Sequence, residues 1–274
     1  MRAAIIGCGY VGTQVAQRWR QQGLTVTATT TSPERLDELT AVADRAVVLT
    51  GNQSDALQDC LADQQTALVC VGSKRQASYE DTYLQTAKNL AAVLPETSVQ
   101  QLVYTSTYSV YGQHYGRWVT EATPVEPVTD KAKVLVAAEQ LLLSAARPDL
   151  KVCLFRLGGI YGPGRELARI FSRSAGQTRP GRGETASNWV HLDDIVGAID
   201  FARSQSLAGI YNLVQDEIPT VKALIDRVCA RHGLAPVSWE PSQPSARPYN
   251  ARVSNQKLKA AGYTFQRPTF ESAL

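Results

Sequence analysis

Arg2-Ala3-Ala4-Ile5-Ile6-Gly7-Cys8-Gly9-Tyr10-Val11-Gly12 is the stretch whose reading decides the fold. The apolar run to Ile6 suits a buried strand, and from Thr13 to Gln22 the residues Val15, Ala16 and Trp19 recur at helical spacing. Between strand and helix stands Gly-x-Gly-x-x-Gly. Each glycine answers a separate steric demand. Gly7 makes the tight turn, Gly9 lets a pyrophosphate approach the backbone, and Gly12 lets helix pack close on strand. Tyr10 and Val11 lie within this turn as expected cofactor contacts, and the N-terminus of the helix that follows faces the phosphates. The stretch predicts strand, phosphate-binding turn and helix, the start of a dinucleotide-binding unit.

A second strand from Leu24 to about Thr29 ends in Thr29-Thr30-Thr31-Ser32-Pro33-Glu34-Arg35. A carboxylate here would hold the ribose 2′-OH of NAD, but the strand end is neutral. Ser32 reads as an N-cap and Pro33 as a first helical residue, so the hydroxyls of Thr30, Thr31 and Ser32 converge with Arg35 where a 2′-phosphate would lie. The expected cofactor is NADP in preference to NAD. Glu34 is the dissenting residue: aimed at the ribose it would select NAD, and as a first-turn acid it would only favour the helix dipole.

The alternation continues with strand Ala46–Leu49, helix Asp55–Leu61, strand Ala67–Val71, helix Tyr79–Leu94, strand Gln101–Thr105, helix Lys133–Ala146 and strand Val152–Arg156. This predicts an α/β fold, a Rossmann doubly wound parallel sheet with a small C-terminal substrate lobe. Residues 1–165 and 188–214 form the expected dinucleotide domain, and 166–187 with 215–274 the lobe. Val71, Gly72 and Thr105, at or just past strand ends, join the expected cofactor contacts, because such folds bind ligands at the sheet's carboxyl edge.

Composition narrows the partners. With 28 basic and 25 acidic residues the net charge is +3, too small for the phosphate attraction of a nucleic-acid binder. No apolar run reaches the roughly 20 residues of a membrane span, and the chain opens on a strand rather than a leader, so the expected location is the cytoplasm. Cys8, Cys60, Cys70, Cys153 and Cys229 lack Cys-x-x-Cys spacing, and His114, His191 and His232 lie far apart. They read as reduced thiols and unclustered imidazoles, with no metal site expected.

Three ordered motifs now agree: Tyr104-Thr105-Ser106-Thr107-Tyr108-Ser109-Val110-Tyr111-Gly112, Arg156-Leu157-Gly158-Gly159-Ile160-Tyr161-Gly162-Pro163-Gly164-Arg165, and Asn188-Trp189-Val190-His191-Leu192-Asp193-Asp194. Together they resemble the extended short-chain dehydrogenase/reductases of the NAD-dependent epimerase/dehydratase family. Tyr211-Asn212-Leu213 and the tail from Ser254 to Tyr263 extend the likeness. Extended members usually carry G-x-x-G-x-x-G, so the G-x-G-x-x-G here is similar to that of the atypical subgroups.

The resemblance implies catalysis by a Tyr-x-x-x-Lys dyad, in which the lysine lowers the pKa of a proton-donating tyrosine. Aligning on the glutamate that family members carry, here Glu139, puts Leu135 at the lysine and Lys131 at the tyrosine, and no tyrosine in the chain has a lysine four residues later. The dyad is absent. Thr107 stands where the family's Ser or Thr bonds the substrate oxygen, or it caps a turn at the strand end. Lys131 could serve as an acid, and Tyr108, Tyr111 or His114 could supply a proton; the competing readings are a solvated lysine and packing aromatics. Thr107, Lys131 and Tyr111 are the candidate catalytic residues. His191, Asp193 and Asp194 read as a structural junction.

Arg165, Arg169 and Arg173 recur every four residues, which on one helix would form a stripe, and Arg179 and Arg182 follow. Such a stripe could grip a diphosphate or simply face solvent. Arg247-Pro248-Tyr249-Asn250-Ala251-Arg252 resembles an element whose arginine reaches substrate phosphates in the family. Arg165, Arg169, Arg247 and Arg252 are the candidate substrate contacts. The expected function is an NADP-linked epimerase, dehydratase or reductase acting on a nucleotide-sugar or similar anionic carbohydrate. Two alternatives stand beside it: a non-catalytic NADP sensor, and a lyase-type reaction with a structural cofactor. The resemblance also implies a homodimer through helices Tyr79–Leu94 and Lys133–Ala146, although Leu141, Leu142 and Leu143 would equally serve core burial.

Overall fold

Strand β1 (Arg2–Ile6) carries Ala3, Ala4, Ile5 and Ile6, each no more than 1% exposed, because both its faces are covered. The computed structural model describes residues 1–73 and 78–271. From β1 the chain runs through α1 (Tyr10–Gln21), β2 (Thr25–Thr30), a 3-10 turn (Pro33–Arg35), α2 (Leu36–Thr40), β3 (Arg45–Val48), α3 (Ser54–Leu61) and β4 (Thr66–Val69). A π-helical segment (Glu80–Gln85) leads into α4 (Thr86–Val93), followed by β5 (Gln101–Thr107), β6 (Trp118–Val119), α5 (Asp130–Ser144) and β7 (Lys151–Leu157). Then come β8 (Gly159–Tyr161), α6 (Leu167–Ser172), β9 (Thr178–Pro180), β10 (Trp189–His191), α7 (Leu192–Ser204) and β11 (Gly209–Leu213). The last elements are α8 (Val221–Arg231), β12 (Ser238–Glu240), β13 (Arg252–Val253) and α9 (Gln256–Ala260).

The main sheet has seven strands in the order β11-β7-β5-β4-β1-β2-β3. Its β3-β2-β1-β4-β5 portion pairs in parallel. The chain leaves β1 toward β2 and β3, then returns to β4 on the other side. That reversal creates a switch point at the carboxyl ends of β1 and β4, the position where open α/β sheets bind ligands.

The chain divides into two units: residues 1–106, 129–156 and 196–211 in one, 107–128, 157–195 and 212–274 in the other. In the first, Ala4, Ile6, Leu57, Leu68, Leu90, Leu102, Leu142 and Leu154 are all buried, and Leu141 and Leu143 lie half-buried against the same core. In the second, Tyr161, Leu167 and Phe171 pack with Leu224, Ile225, Val228 and Phe270. This unit reaches further back along the chain than the lobe expected at 166–187 and 215–274. The reason is a separate cluster in which Tyr108, Tyr111 and Val119 pack with Val214, Ala251 and Val253.

Local chemistry moves several boundaries. Helix α5 starts at Asp130 rather than Lys133, because the Thr129 hydroxyl accepts from the Ala132 N–H at 3.2 Å and caps it. Helix α6 holds only residues 167–172, so Arg165 precedes it and Arg173 is its C-cap; the expected arginine stripe along one helix is not built. Pro33 opens a 3-10 turn rather than an α-helix, and Ser32 makes no side-chain cap bond. In the second unit Asp194 is fully buried, and its carboxylate accepts from the N–H of Gln266 (2.7 Å) and Arg267 (2.9 Å) and from the Tyr263 hydroxyl (3.1 Å). All five cysteines are free. Among the described residues no helix is long and apolar enough to cross a membrane, and no group of three metal-ligating side chains converges.

Among the described residues of the first unit, one ion pair has both side chains buried. Arg156, at 5% side-chain exposure, donates to both Glu139 carboxylate oxygens, and the Ser106 hydroxyl donates to Oε1 at 2.6 Å. Removing one charge strands the other in a low dielectric, whereas removing both does not. Glu139→Leu is expected to cost about 3–5 kcal/mol in urea unfolding, and Glu139→Leu with Arg156→Met to recover most of that loss.

Candidate functional site

The first unit builds its cradle where β1 stops. Gly7 turns with φ +87°, and a Cβ there would stand 2.8 Å from the Val71 Cα. Thr29 on β2 fastens the turn: its hydroxyl accepts from the Gly7 N–H at 3.0 Å and its carbonyl from the Cys8 N–H at 2.7 Å. Those bonds use both amides, so an anion at this turn meets the first-turn N–H groups of α1, from Tyr10 onward. Gly12 is pressed against the sheet, where a Cβ would lie 3.0 Å from Cys70 Sγ and 3.1 Å from Ile5 Cγ2. Gly9 differs: a Cβ would meet nothing closer than the Gly7 carbonyl oxygen, at 4.0 Å. Open space over Gly9 beside a helix N-terminus fits a dinucleotide pyrophosphate. The Cys8 thiol is pushed up to about 11 by burial and is no thiolate at neutral pH.

At the end of β2, Thr30 is buried and its hydroxyl accepts from the Ser32 N–H at 3.1 Å, while Thr31 is exposed. Arg35 reaches back over the turn and donates from Nη1 to the Cys8 carbonyl at 2.8 Å. Its other edge forks onto Glu38 at 2.9 and 2.7 Å, and this bond holds the Glu38 carboxyl below its ordinary range. A planar guanidinium therefore lies beside the phosphate turn, fixed on two sides. Glu34 is exposed in the 3-10 turn.

On the other side of β1, Val71 is half-buried, Gly72 exposed, and the Thr105 hydroxyl donates to the Val69 carbonyl at 3.4 Å. The Ser73 N–H donates to the Tyr83 hydroxyl at 3.2 Å. Lys131, in the first turn of α5, places its Nζ 4.9 Å from the centroid of the Tyr79 ring. Leu135, one helical turn further along α5, is 6% exposed.

In the second unit Thr107 uses its hydroxyl oxygen to cap a 3-10 turn, accepting from the Ser109 N–H at 3.3 Å, which leaves its O–H as a donor. Tyr111 is fully buried and donates to Asn212 Oδ1 at 2.7 Å, which places it in the core of that unit. His191 Nδ1 accepts from the Asp193 N–H at 3.1 Å, and burial lowers its pKa, so the ring is neutral at pH 7.

The second unit also holds a cavity of about 250 Å³, lined by Trp189, Trp239, Phe171, Arg179, Ser245 and Arg247 among others. The Arg179 guanidinium lies 5.7 Å from the Trp239 ring. Arg247 donates to the Tyr108 hydroxyl at 2.8 Å and covers the Tyr249 ring at 5.5 Å. The Trp239 Nε1 is buried and has no hydrogen-bond partner among the described residues. Arg165 and Arg169 are exposed, as is Arg252 on β13; of the four candidate substrate arginines, only Arg247 lines the cavity. Sequence reading included Thr29 in the run at the end of the second strand but gave it no role in the site. It missed Trp239 and named Arg179 only beside the arginine repeat, whereas the pairing of β9 with β12 brings the two together.

Residues 3–213 match the NAD dependent epimerase/dehydratase family. Protein YeeZ of Escherichia coli strain K12 is 29% identical over 97% of this chain and 96% of its own length. A functionally unknown conserved protein from Silicibacter pomeroyi DSS superposes with a TM-score of 0.81 at 24% identity, covering 99% of this chain and 96% of that one. MoeE5, solved in complex with UDP-glucose and NAD, superposes with a TM-score of 0.81 at 20% identity, covering 97% and 94%. At these identities the structural likeness is one of fold.

The three glycines separate experimentally. Gly9→Ala, at φ −94° with open space, should leave Tm within about 2–4 °C of the parent yet weaken dinucleotide binding at least about tenfold by calorimetry. Gly7→Ala, forced against the Val71 backbone, should lower Tm itself.

Proposed function

Because the chain belongs to the NAD dependent epimerase/dehydratase family, we propose that it is an NADP-linked epimerase, dehydratase or reductase acting on a nucleotide-sugar or similar anionic carbohydrate. The observation that carries this reading is the cavity of the second unit. Its Trp and Phe walls suit the face of a nucleobase, Arg179 and Arg247 suit a diphosphate, and the unpartnered Trp239 N–H suits a base carbonyl. MoeE5, with its UDP-glucose and NAD, supports the substrate class.

NADP preference rests on the end of β2. Thr29, Thr30, Thr31 and Ser32 present no carboxylate to a ribose 2′-OH, and Arg35 is fixed beside the phosphate turn. In this reading Gly7, Gly9, Tyr10, Val11 and Gly12 hold the pyrophosphate, while Thr30, Thr31, Ser32 and Arg35 hold the 2′-phosphate. Val71, Gly72 and Thr105 flank the nicotinamide half, where the bound cofactor supplies hydride chemistry. Thr107 offers its O–H to a substrate oxygen, and Lys131 supplies positive charge near the proton transfer.

A second reading, a protein that binds NADP without turnover, is favoured by buried Leu135 in place of the dyad lysine and by buried Tyr111. Calorimetry separates the two. NADP+ should bind at least tenfold tighter than NAD+, about 1.4 kcal/mol, and Arg35→Ala should abolish that preference. UDP-glucose should bind the NADP+ complex and fail to bind Arg247→Ala. Dinucleotide binding without any response to UDP-sugars would put the sensor reading first.

A further inference from the structure

We infer that Tyr79 and Lys131, from two different helical segments, take the place of the absent Tyr-x-x-x-Lys dyad, with Tyr79 as the proton-transferring group and Lys131 as its positioning cation. The inference rests on the reading of the chain as a dinucleotide-dependent enzyme. Lys131 follows Asp130, but that carboxylate is taken by Lys133 at 2.8 Å. Among the described residues Lys131 makes no ion pair, and its ammonium lies instead over the Tyr79 ring, 4.9 Å from the centroid. Electrostatic attraction between a cation and the negative face of the ring favours this placement.

Tyr79 is in turn set by its neighbours. Its ring lies 4.9 Å from that of Tyr83, tilted by 45°. The Tyr83 hydroxyl also accepts from the Ser73 N–H at 3.2 Å. Ser73 follows Val71 and Gly72, and the Val71 backbone is the surface against which Gly7 turns. A continuous line of contacts therefore runs from Lys131 through Tyr79 and Tyr83 to the carboxyl edge of the sheet beside the phosphate turn. Tyr83 lies within the π-helical segment Glu80–Gln85, an irregularity that recurs at functional sites.

Topology says which part of a dinucleotide this edge would meet. A ligand whose pyrophosphate crosses the end of β1, and whose phosphorylated ribose lies at β2, puts its other half over β4 and β5. That is the side on which Tyr83 and Ser73 stand. The Lys131 ammonium fixes the Tyr79 ring from its face and supplies positive charge beside it. In the reductive direction Tyr79 gives its hydroxyl proton to a substrate carbonyl oxygen as the carbonyl carbon accepts hydride from a dihydronicotinamide. A C–H and an O–H bond form, the C=O π bond is lost, the nicotinamide is oxidised, and the Tyr79 oxyanion takes its proton back from water. In the oxidative direction the same oxygen receives the proton of a sugar hydroxyl.

The test uses full-length protein labelled with [13Cζ]tyrosine, with Tyr79→Phe to assign the resonance. NADP+ at a concentration shown by calorimetry to saturate should move the Tyr79 signal. Lys131→Met should displace it and Lys131→Arg restore it, each variant keeping NADP+ affinity within about threefold of the parent. With a UDP-sugar as substrate, Tyr79→Phe should lower kcat by about 10²–10⁴ with little change in KM. Saturating NADP+ that leaves the Tyr79 resonance in place, or a kcat retained in Tyr79→Phe, overturns the inference while the cofactor reading stands. Failure of NADP+ to bind at all overturns both.

Discussion

Gly7 sits so close to the Val71 backbone that no side chain fits between them, and the first unit is arranged around that approach. The tight turn brings α1 down on the sheet, where Gly12 is pressed against Ile5 and Cys70. Thr29 on β2 then consumes the amides of the turn, which ties β1 to its neighbour beyond the last ladder bond. A strand that is buried on both faces, a helix that starts at the sheet's edge and an open surface over Gly9 all follow from one steric demand. The glycine turn is thus part of the packing of the unit, and the three glycines differ in how much of that packing depends on them.

The local grammar of this region was legible from the chain. Gly7, Gly9 and Gly12 could be assigned separate roles because each role is a backbone property, and the neutral end of β2 could be read because a missing carboxylate is visible in the residues themselves. Periodicity found the alternating strands and helices up to β7 but not α7 or β11, and Thr129 explains why α5 begins three residues before the expected Lys133. The arginine repeat misled for a physical reason. Spacing of four implies a shared face only while the helix lasts, and α6 ends at Ser172.

What was not legible depends on contacts between distant segments. Trp239 and Arg179 face one another because β12 pairs with β9, two short strands with no pattern to announce them. Lys131 and Tyr79 meet because helical segments far apart in sequence pack together, so a search for a tyrosine and a lysine on one helical turn could not find them. Tyr111, attractive as a residue because it follows the Ser/Thr strand, is buried and bonded to Asn212, whose position in the chain gives no hint of that partnership. Pattern reading resolves what one element does alone and loses what two elements do together.

Asp194 carries a consequence for how the molecule is made. The second unit is assembled from three separate stretches, and its last closure is the docking of Tyr263, Gln266 and Arg267 on that carboxylate. Those residues follow every stretch of the first unit in the chain, so that unit can condense during synthesis while the second still waits for them. Until then the Asp194 carboxylate has only water to satisfy it in place of those donors. Contacts of such long sequence separation form slowly, and the interval before the tail arrives is the period in which the unfinished second unit is open to chaperones and proteases.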